Sequence, residues 1–382
     1  MPKQKLLILI DWFTPGYKAG GPIRSTLNIA VSLKEQYEIF VLTTDTDHGE
    51  IKPLEGIKAN EWTGIFDSAI KVYYANKQLL KPKHLLEQIK AVNPDFIYLN
   101  HMWSPLFVLY PLWLKYTGKI SAKVILCPRG GMYESALKVK KYKKSPVLML
   151  LNLIKIQNHI TFHATNEREE NAIKEFFPGS KRIIAYNLPA SSQLPFNSLH
   201  KEIGVVKCIF IARIVAIKNL LFLIKSLQQV TINVLLTIVG PNEDKDYWLT
   251  CQELIKKLPA NVSVEYIGPK DNAALSEIMQ KHHLFVLPTV GENFGHSIFE
   301  AFLSGRPVLI SDQTPWSNLE KKQIGWDLPL DNQAEFSKKI QQVGLWNQEE
   351  FNTFSMNAWH FAKNYIENPE VKKGYLKLFS LN

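Results

Sequence analysis

Short apolar runs alternate with helix-length amphipathic stretches along the whole 382-residue chain. In the first half the runs are KLLILID, YEIFVLTT, IKVYYA, FIYLN, KVILCP, ITFHAT and RIIAYN. The rhythm restarts in the second half with KCIFIAR, NVLLTIVG, VSVEYIG, LFVLPT and PVLIS. Apolar strands separated by helices indicate parallel sheets that are covered on both faces. The pattern predicts an α/β protein with two Rossmann-like, doubly wound domains.

The domain boundary is expected in the polar segment 188–202, which lacks periodicity and contains two prolines. A chain of 382 residues suits two domains of ordinary size. We expect a first domain over 1–190 and a second over 195–365. A C-terminal helix at about 366–382 is expected to pack back on the first domain. In such open sheets, ligands bind beyond the carboxyl ends of the strands, so we expect a cleft between the two domains.

Composition places the chain among globular proteins, with 46% apolar and 21% charged residues. Three cysteines, Cys127, Cys208 and Cys251, are far apart, which favours a reducing compartment over a disulfide framework or a zinc site. The apolar run after MPKQ is too short for a signal peptide. No run reaches the ~18 apolar residues of a membrane-spanning helix. The sequence therefore predicts a cytoplasmic protein, with peripheral attachment to the inner face of the plasma membrane as a further expectation.

The net charge of +10 is confined to the first half of the chain. Residues 1–190 hold 26 Lys and Arg against 16 Asp and Glu, whereas residues 191–382 hold 19 of each. A basic first domain fits an acidic partner such as an anionic membrane, a phosphorylated acceptor or a nucleic acid. A solvated basic surface without a partner is the alternative.

The stretch GENFGHSIFEAFLSGRPVLISD, residues 291–312, sets Glu292 and Glu300 eight positions apart between two apolar runs. A helix is expected to begin near Gly295, where free backbone amides can hold an anion and glycine admits a ligand to the backbone. A carboxylate at Glu300 can accept hydrogen bonds from paired sugar hydroxyls. Two glutamates at this spacing also occur by chance on solvated helices, and the flanking strands and glycines are what favour a site.

A basic pair follows the first strand of the second half, in KCIFIARIVAIKNL. Arg213 can hold phosphate oxygens with two hydrogen bonds, and Lys218 adds a point charge. Together they could stabilise a diphosphate leaving group as its negative charge develops. The alternative is an arginine at a strand end and a lysine at a helix start with no shared target.

These two stretches resemble the retaining family 4 glycosyltransferases of the GT-B fold, also called group 1 glycosyltransferases. The resemblance extends over nearly the whole chain and is most specific between about 207 and 316. It implies that Glu292 contacts the transferred sugar and that Glu300 contacts the nucleotide ribose. Arg213 and Lys218 would then bind the donor diphosphate. Gly295, Phe294 and His296 belong to the same donor-binding loop.

The loop DWFTPGYKAGGPIRST after the first strand matches the family's glycine loop. The resemblance places Gly20 and Gly21 near the donor phosphates or the acceptor. Two glycines before a helix start also expose backbone amides at which an anion can bind. We expect no cofactor and no metal, because the substrate is itself a UDP- or GDP-sugar and the family is metal-independent.

Two departures from the family pattern stand out. CPRGGMYES carries Arg129 where many members carry a histidine, and we interpret Arg129 as a catalytic residue that stabilises phosphate or binds the acceptor. The loop after PVLISD, usually rich in glycine, reads QTPWS. Trp316 in this loop is a candidate for stacking on a base or an acceptor sugar, with a packed loop tryptophan as the alternative.

Three other polar motifs give weaker indications of a functional site. Asp45 and Asp47 in DTD resemble a metal-binding motif of another glycosyltransferase fold, but they follow the second strand and are interpreted as turn residues. His282 and His283 have no third ligand at metal spacing and are expected to be solvated or to cap a helix. His101 ends a strand in NHMWSP and is a candidate for acceptor binding.

The segment KVKKYKKSPVLMLLNLIKI contains five lysines within 138–144 and continues as an apolar helix. Lysines beside an apolar face suit anionic lipid headgroups, so residues 138–156 are a candidate membrane contact. An ordinary core helix after a basic loop is the alternative.

The resulting hypothesis is a retaining glycosyltransferase that uses a nucleotide-diphosphate sugar. It would build capsule, exopolysaccharide or lipopolysaccharide on a saccharide or polyprenyl-diphosphate-linked acceptor. A GT-B sugar-nucleotide epimerase or phosphorylase is the alternative within enzymes. A basic nucleic-acid-binding protein is the alternative from another class, disfavoured because no aromatic stacking platform accompanies the lysines. We therefore expect no nucleic-acid partner.

Overall fold

The computed structural model describes residues 2–138, 141–189 and 195–380. The strands are β1 Gln4–Leu9, β2 Tyr37–Thr44, β3 Trp62–Ile65, β4 Ile70–Ala75, β5 Phe96–Asn100, β6 Lys123–Cys127, β7 Ile160–Ala164, β8 Lys181–Ile184, β9 Val205–Ile211, β10 Asn233–Val239, β11 Val262–Tyr266, β12 Leu284–Leu287, β13 Val308–Ser311 and β14 Gly325–Leu328. Every apolar run of the sequence analysis overlaps one of these strands. The short strands β3 and β14 have no such run, and sequence analysis missed them.

The helices alternate with the strands, as the amphipathic stretches predict. They are α1 Gly21–Leu33, α2 Pro82–Val92, α3 Tyr110–Tyr116, α4 Glu134–Lys138, α5 Lys141–Leu153, α6 Glu167–Phe176, α7 Leu220–Ser226, α8 Lys245–Ile255, α9 Asn272–Gln280, α10 His296–Leu303, α11 Gln333–Leu345, α12 Gln348–Glu367 and α13 Pro369–Leu378. A π-helical turn, Pro105–Leu109, leads into α3.

The chain divides into two units. The first comprises Met1–Ser191 and Asn368–Asn382, and the second comprises Ser192–Glu367. The boundary lies within the polar segment 188–202, of which residues 190–194 are outside the described residues. The C-terminal helix α13 packs against β8 of the first unit, where a Cβ on Gly374 would lie 3.0 Å from the Cα of Ala185.

The first unit contains a sheet of order β3-β4-β2-β1-β5-β6-β7-β8. Its strands pair in parallel except for the edge strand β3, which is antiparallel to β4. Strands β1 and β5 lie in the middle, and Leu6, Leu7, Ile8 and Leu9 are all 0% exposed. Full burial explains why these strands are apolar throughout, since helices cover both faces.

The second unit contains a sheet of order β11-β10-β9-β12-β13-β14, in which every pairing is parallel. Its two central strands, β9 and β12, pair directly, with Cys208 opposite Leu284. In a parallel sheet all carboxyl ends lie at one edge, so the loops that follow β9, β10, β12 and β13 meet there. That edge holds the donor-site residues that sequence analysis singled out in this unit.

Candidate functional site

The loops after β9 and β12 are joined by hydrogen bonds at the carboxyl edge of the second sheet. The amide of Val290 donates to the carbonyl of Ile217 at 2.8 Å, and Thr289 Oγ1 donates to the same carbonyl at 3.1 Å. This attachment brings Lys218 against Glu292, and the two side chains form an ion pair. The residues are 74 positions apart in the chain. Their contact follows from the pairing of β9 with β12.

The Lys218–Glu292 pair is largely shielded from water. The side chains are 14% and 18% exposed, respectively. The backbone amide of Glu292 donates to the carbonyl of Gln313 at 3.1 Å, which attaches Glu292 to the loop after β13 as well. Glu292 is therefore held by its side chain from one loop and by its backbone from the other.

Helix α10 begins immediately after Gly295, as predicted. Gly295 has φ of +74°, and a Cβ there would lie 2.6 Å from Cδ1 of Ile298. The turn therefore favours glycine for its left-handed backbone, and a larger residue would also have to displace the end of the Ile298 side chain. Glu300 lies in the second turn of α10 and is half-buried, while its neighbours Phe299 and Ala301 are buried.

Arg213 has a different acidic partner. Its guanidinium donates to Oε2 of Glu243 at 2.9 Å, with side chains 39% and 24% exposed. Strand β10 brings Glu243 here because the loops after β9 and β10 are in close contact. Gly240 has φ of +143°, and a Cβ on it would lie 2.0 Å from the carbonyl oxygen of Ala212. Sequence analysis missed Glu243. The glycine at the end of β10, Gly240, could have indicated that the loops after β9 and β10 approach each other closely.

Of the two interpretations of Trp316, the structure agrees with the packed loop tryptophan and not with a stacking role. Its side chain is 7% exposed, and its indole Nε1 donates to the carbonyl of Phe294 at 2.5 Å. The ring packs among aromatic side chains of α10 and α12: Phe299, Phe302, Phe361 and Tyr365. No face of a ring in such a cluster remains for a ligand to stack on. Trp316 instead fixes the loop before α10 from inside the unit.

Phe294 and His296 flank Gly295 in the loop that sequence analysis assigned to the donor. Phe294 is 6% exposed and its ring contacts that of His296 with centroids 4.9 Å apart. The Phe294 side chain therefore packs into the unit, and a donor contact from this residue would come from its backbone.

His282 and His283 are buried, which corrects the expectation of solvated histidines. They are 6% and 2% exposed. His282 bonds the carbonyl of Ile278 at 2.7 Å through Nδ1 and so caps the end of α9, as the second part of that expectation stated. Nδ1 of His283 accepts from the amide of Lys207 at 3.0 Å, and its Nε2 lies 2.9 Å from the carbonyl of His200. Burial lowers the pKa of both rings, that of His283 to about 4.

The glycine loop of the first unit is held by Asp47. The carboxylate of Asp47 accepts from the amides of Tyr17 at 2.9 Å and Lys18 at 3.1 Å. Gly20 then caps α1 with φ of +68°, and Gly21 begins the helix with an exposed backbone position. Asp47 is 5% exposed, so the acid after β2 is more than the turn residue that sequence analysis predicted. It shapes the loop before α1.

Asp11 is a further acid at this edge, which sequence analysis did not single out. It follows β1 and accepts a hydrogen bond from Ser104 Oγ at 2.8 Å. Burial raises the pKa of Asp11, and the Ser104 hydrogen bond partly opposes that shift. Asp45, after β2, also has a pKa raised by burial.

Arg129 lies in the loop that follows β6 and has a left-handed backbone, with φ of +54°. Its guanidinium donates to Oδ1 of Asn100 at 2.9 Å, to the hydroxyl of Tyr98 at 3.0 Å and to Oδ1 of Asn187. Three of its five N–H groups therefore bind neutral oxygens of the first unit. Sequence analysis found Arg129 but none of these partners.

A directed chain of hydrogen bonds continues from Arg129 into the core. His163 Nε2 lies 2.8 Å from the carbonyl of Ala185 and must donate to it, so Nδ1 accepts from the Tyr98 hydroxyl at 2.9 Å. Burial, with a contribution from the Arg129 charge, lowers the pKa of His163 to about 3. His163 therefore stays neutral at physiological pH and orients Tyr98 beneath the guanidinium.

His101 follows β5 at the same edge of the first sheet. It has φ of +79°, is half-buried, and Nδ1 accepts from the amide of Trp103 at 3.4 Å. His101 thus lies at the carboxyl end of a central strand. The other candidate residues of this unit, Arg129, Gly20 and Gly21, also follow the carboxyl ends of strands. The role of His101 in acceptor binding stays a prediction.

The segment proposed as a membrane contact forms α5 and the turn that follows it. Residues 139–140, including Lys140, lie outside the described residues. Within the described chain, no helix is long and apolar enough to cross a bilayer. No group of three or more His, Cys, Asp or Glu side chains in the same part of the chain is arranged to hold a metal ion.

Sequence comparison relates the second unit to a known enzyme family. Residues 197–358 match the profile described as "Glycosyl transferases group 1". A sucrose synthase from Melioribacter roseus is 30% identical over 148 residues, which cover 34% of this chain and 18% of that enzyme. The chain thus matches less than a fifth of the length of this curated relative.

Structural comparison extends the similarity to both units. Anabaena HepE, solved with UDP and glucose, superimposes with a TM-score of 0.72 at 15% identity, covering 99% of this chain and 100% of that one. WaaG, a glycosyltransferase involved in lipopolysaccharide biosynthesis, gives a TM-score of 0.64 at 13% identity, covering 98% and 100%. At such identities the likeness shows the fold. Residues 197–358 are thus similar in sequence to the group 1 glycosyltransferases, and the chain has the GT-B fold of the solved structures that it matches.

Proposed function

We propose that this protein transfers a sugar from a nucleotide-diphosphate sugar to a saccharide or lipid-linked acceptor, with retention of anomeric configuration and without a metal ion. The observation that carries the proposal is the shielded Lys218–Glu292 pair beside the start of α10. It sets a cation, a carboxylate and a helix N-terminus together at the carboxyl edge of a parallel sheet, where such folds bind ligands.

The donor diphosphate is assigned to Lys218 and Arg213. When the bond between the sugar and the diphosphate breaks, negative charge grows on the diphosphate, and nearby cations lower the energy of that state. An ammonium has three N–H donors and a guanidinium has five. Each side chain can therefore keep its present carboxylate partner and still donate to a phosphate oxygen.

The sugar and the nucleotide are assigned to the two glutamates. We assign Glu292 to the transferred sugar, because its position beside Lys218 is next to the proposed diphosphate. Glu300, one turn and a half inside α10, is assigned to the ribose hydroxyls. The amides that follow Gly295 would bind a phosphate oxygen at the helix start.

The first unit is assigned to the acceptor. Its candidate groups are His101 and Arg129, which follow strands at one edge of the first sheet. The loop of Gly20 and Gly21 at the same edge is assigned to the donor phosphates or the acceptor. The three oxygens that Arg129 binds, on Asn100, Asn187 and Tyr98, are neutral. The positive charge of Arg129 would attract an anionic group of the acceptor or donor.

UDP-sugars are the first donors to test, because HepE was solved with UDP-glucose as well as with UDP and glucose. The proposed pathway is the synthesis of a cell-surface polysaccharide, supported by the likeness to WaaG. Such a pathway would place the enzyme in the cytoplasm, at the inner face of the plasma membrane. GDP-sugars are the alternative donors.

The test is a panel of UDP- and GDP-sugars screened for thermal stabilisation of the full chain, followed by measurement of nucleotide release. A transferase releases the nucleoside diphosphate, and NMR of the product gives the anomeric configuration. Conversion of the donor into its epimer without nucleotide release would favour the epimerase alternative. Binding of generic DNA with no response to any sugar nucleotide would overturn the proposal.

A further inference from the structure

Helix α5 has two apolar faces, of which one is buried and the other is exposed to solvent. Leu148 and Leu151 are buried and join the core of the first unit. On the other side, Tyr142, Met149, Leu150 and Leu153 are 73%, 75%, 56% and 75% exposed. The spacing of these four residues places them on one stripe of the helix. The helix thus presents to solvent a second apolar surface that the core does not use.

Helix α3 extends this surface. Trp113 and Tyr116 are 46% and 42% exposed. The Tyr116 ring contacts His159, with centroids 5.5 Å apart, and His159 directly follows the turn Ile156–Asn158 at the end of α5. The exposed aromatic residues of α3 are therefore adjacent to the end of α5. We call the combined surface the docking face: Trp113, Tyr116, Tyr142, Met149, Leu150 and Leu153.

The docking face lies within the most basic part of the chain. Residues 96–166 contain ten Lys and Arg and a single acidic residue, Glu134. This segment holds a net charge of +9 of the chain's +10. Lys119 lies 4.6 Å from the ring centre of Trp113 and Lys143 lies 5.8 Å from that of Tyr142, so cations border the apolar stripe itself.

The aliphatic side chains, the aromatic rings and the cations of the docking face together indicate which kind of partner binds it. A nucleic acid would use the cations and could stack on aromatic rings, but it has no use for the aliphatic side chains of Met149, Leu150 and Leu153. A neutral apolar protein surface would leave the cations unmatched. An anionic bilayer matches all three features, since acyl chains accept the aliphatic groups, the headgroup region favours Trp and Tyr, and anionic lipids attract lysine.

We propose that the docking face inserts into the headgroup region of an anionic lipid bilayer, with α5 lying along the membrane surface. Trp113 and Tyr116 of α3 would anchor the same face at headgroup depth. The proposal widens the contact predicted at 138–156 to a second helix. It does not depend on the transfer reaction, because binding is measured on the full chain without a sugar nucleotide.

The first experiment places an environment-sensitive dye on the docking face through Met149→Cys. The three native cysteines are 0% exposed, and burial raises the pKa of each thiol to about 12, so labelling is directed to the new site. Leu249→Cys on α8 of the second unit is the matched control, since Leu249 is also exposed, at 59%. Vesicles of phosphatidylcholine with phosphatidylglycerol should shift the emission of the dye at 149 to the blue and leave that at 249 unchanged. No shift at 149, or equal shifts at both, would overturn the proposal.

The second experiment separates apolar insertion from charge attraction by vesicle co-sedimentation. The triple variant M149S/L150S/L153S should lower the partition coefficient at least about tenfold, whereas Leu249→Ser should not change it. The variant K119Q/K143Q/K155Q should reduce the preference for phosphatidylglycerol over pure phosphatidylcholine. Unchanged sedimentation of the serine variant would show that insertion does not occur. Equal competition by single-stranded DNA would indicate a nucleic-acid surface instead and would also reject the proposal.

Discussion

The Lys218 ammonium contacts the Glu292 carboxylate across two loops, while Arg213, five positions earlier, contacts Glu243. The two cations that sequence analysis assigned to one diphosphate thus lie against different acids. The Lys218–Glu292 pair is the more shielded, with side chains 14% and 18% exposed against 39% and 24%. Because the two pairs differ in exposure, we expect them to differ in their contribution to stability.

Replacement of Lys218 by Met should destabilise the protein more than the same replacement at Arg213. Lys218→Met leaves a shielded carboxylate without its partner, and we expect the free energy of unfolding to fall by about 2 kcal/mol. Arg213→Met breaks a more exposed pair and should cost about 0–1 kcal/mol. Urea unfolding of the two variants and the wild type measures both. Equal losses would contradict the difference in shielding, and both variants should lose sugar transfer if the proposed function is correct.

Replacement of Glu300 by Ala should weaken nucleotide binding. If the carboxylate accepts two ribose hydroxyls, its removal should raise the dissociation constant for UDP at least about tenfold. Glu253→Ala is the control, because Glu253 lies on α8 in an exposed pair with Lys256. Isothermal calorimetry with UDP compares the two. A dissociation constant unchanged by Glu300→Ala would remove Glu300 from the donor site.

Sugar transfer should persist in EDTA. Arg213 and Lys218 can offset the diphosphate charge that a divalent ion would otherwise neutralise. The measurement is the rate of UDP release with and without chelator, followed by addition of Mn²⁺. Loss of turnover in EDTA that Mn²⁺ restores would reject the assignment of these cations as the neutralising groups.

Stability should decrease as the pH falls below about 6.5. Burial lowers the pKa of His163 to about 3 and that of His283 to about 4, from an ordinary value of 6.5. Below that ordinary value the unfolded chain binds protons that the folded chain does not, so the stabilisation present above it is lost as the pH falls towards 4 and then 3. Within its window, each histidine lowers the free energy of unfolding by up to about 1.4 kcal/mol for each unit by which the pH falls.

The loss of stability in acid is measured as the change in the thermal midpoint between pH 7 and pH 4, a range that covers about 2.5 pH units of these windows. His163→Gln keeps a donor for the Ala185 carbonyl and should make the decline shallower. His360→Gln, at an exposed position, should leave the decline unchanged. Parallel declines for all three proteins would mean that buried His163 is not a source of the acid sensitivity.

Much of the fold was readable from local sequence because each buried strand had to be apolar throughout. The run YEIFVLTT coincides with β2 and FIYLN with β5. The start of α10 was predicted from Gly295, since a left-handed turn favours glycine. Strand β3 escaped prediction because it is a half-exposed edge strand of four residues, too short to show a period.

Several side-chain environments were not readable in this way. DTD resembled a turn, yet Asp47 holds the backbone of residues 30 positions earlier, because β2 lies beside β1. Trp316 sits in a polar loop, and only the packing of α10 against α12 encloses its ring. The two histidines before β12 are polar by type but buried by position, where two carbonyls, the Thr237 hydroxyl and a backbone amide satisfy their ring nitrogens.

The sequence by itself determined the two parallel sheets, the residue types at their carboxyl ends and the helix that begins after Gly295, because burial and backbone geometry impose these locally. The tertiary structure decided which charges meet. The sheet order β10-β9-β12 places Glu243 on one side of the loop after β9 and Glu292 on the other, so Arg213 and Lys218 face different acids. Partners that are 30 and 74 positions away along the chain are selected by strand adjacency, which no local pattern encodes.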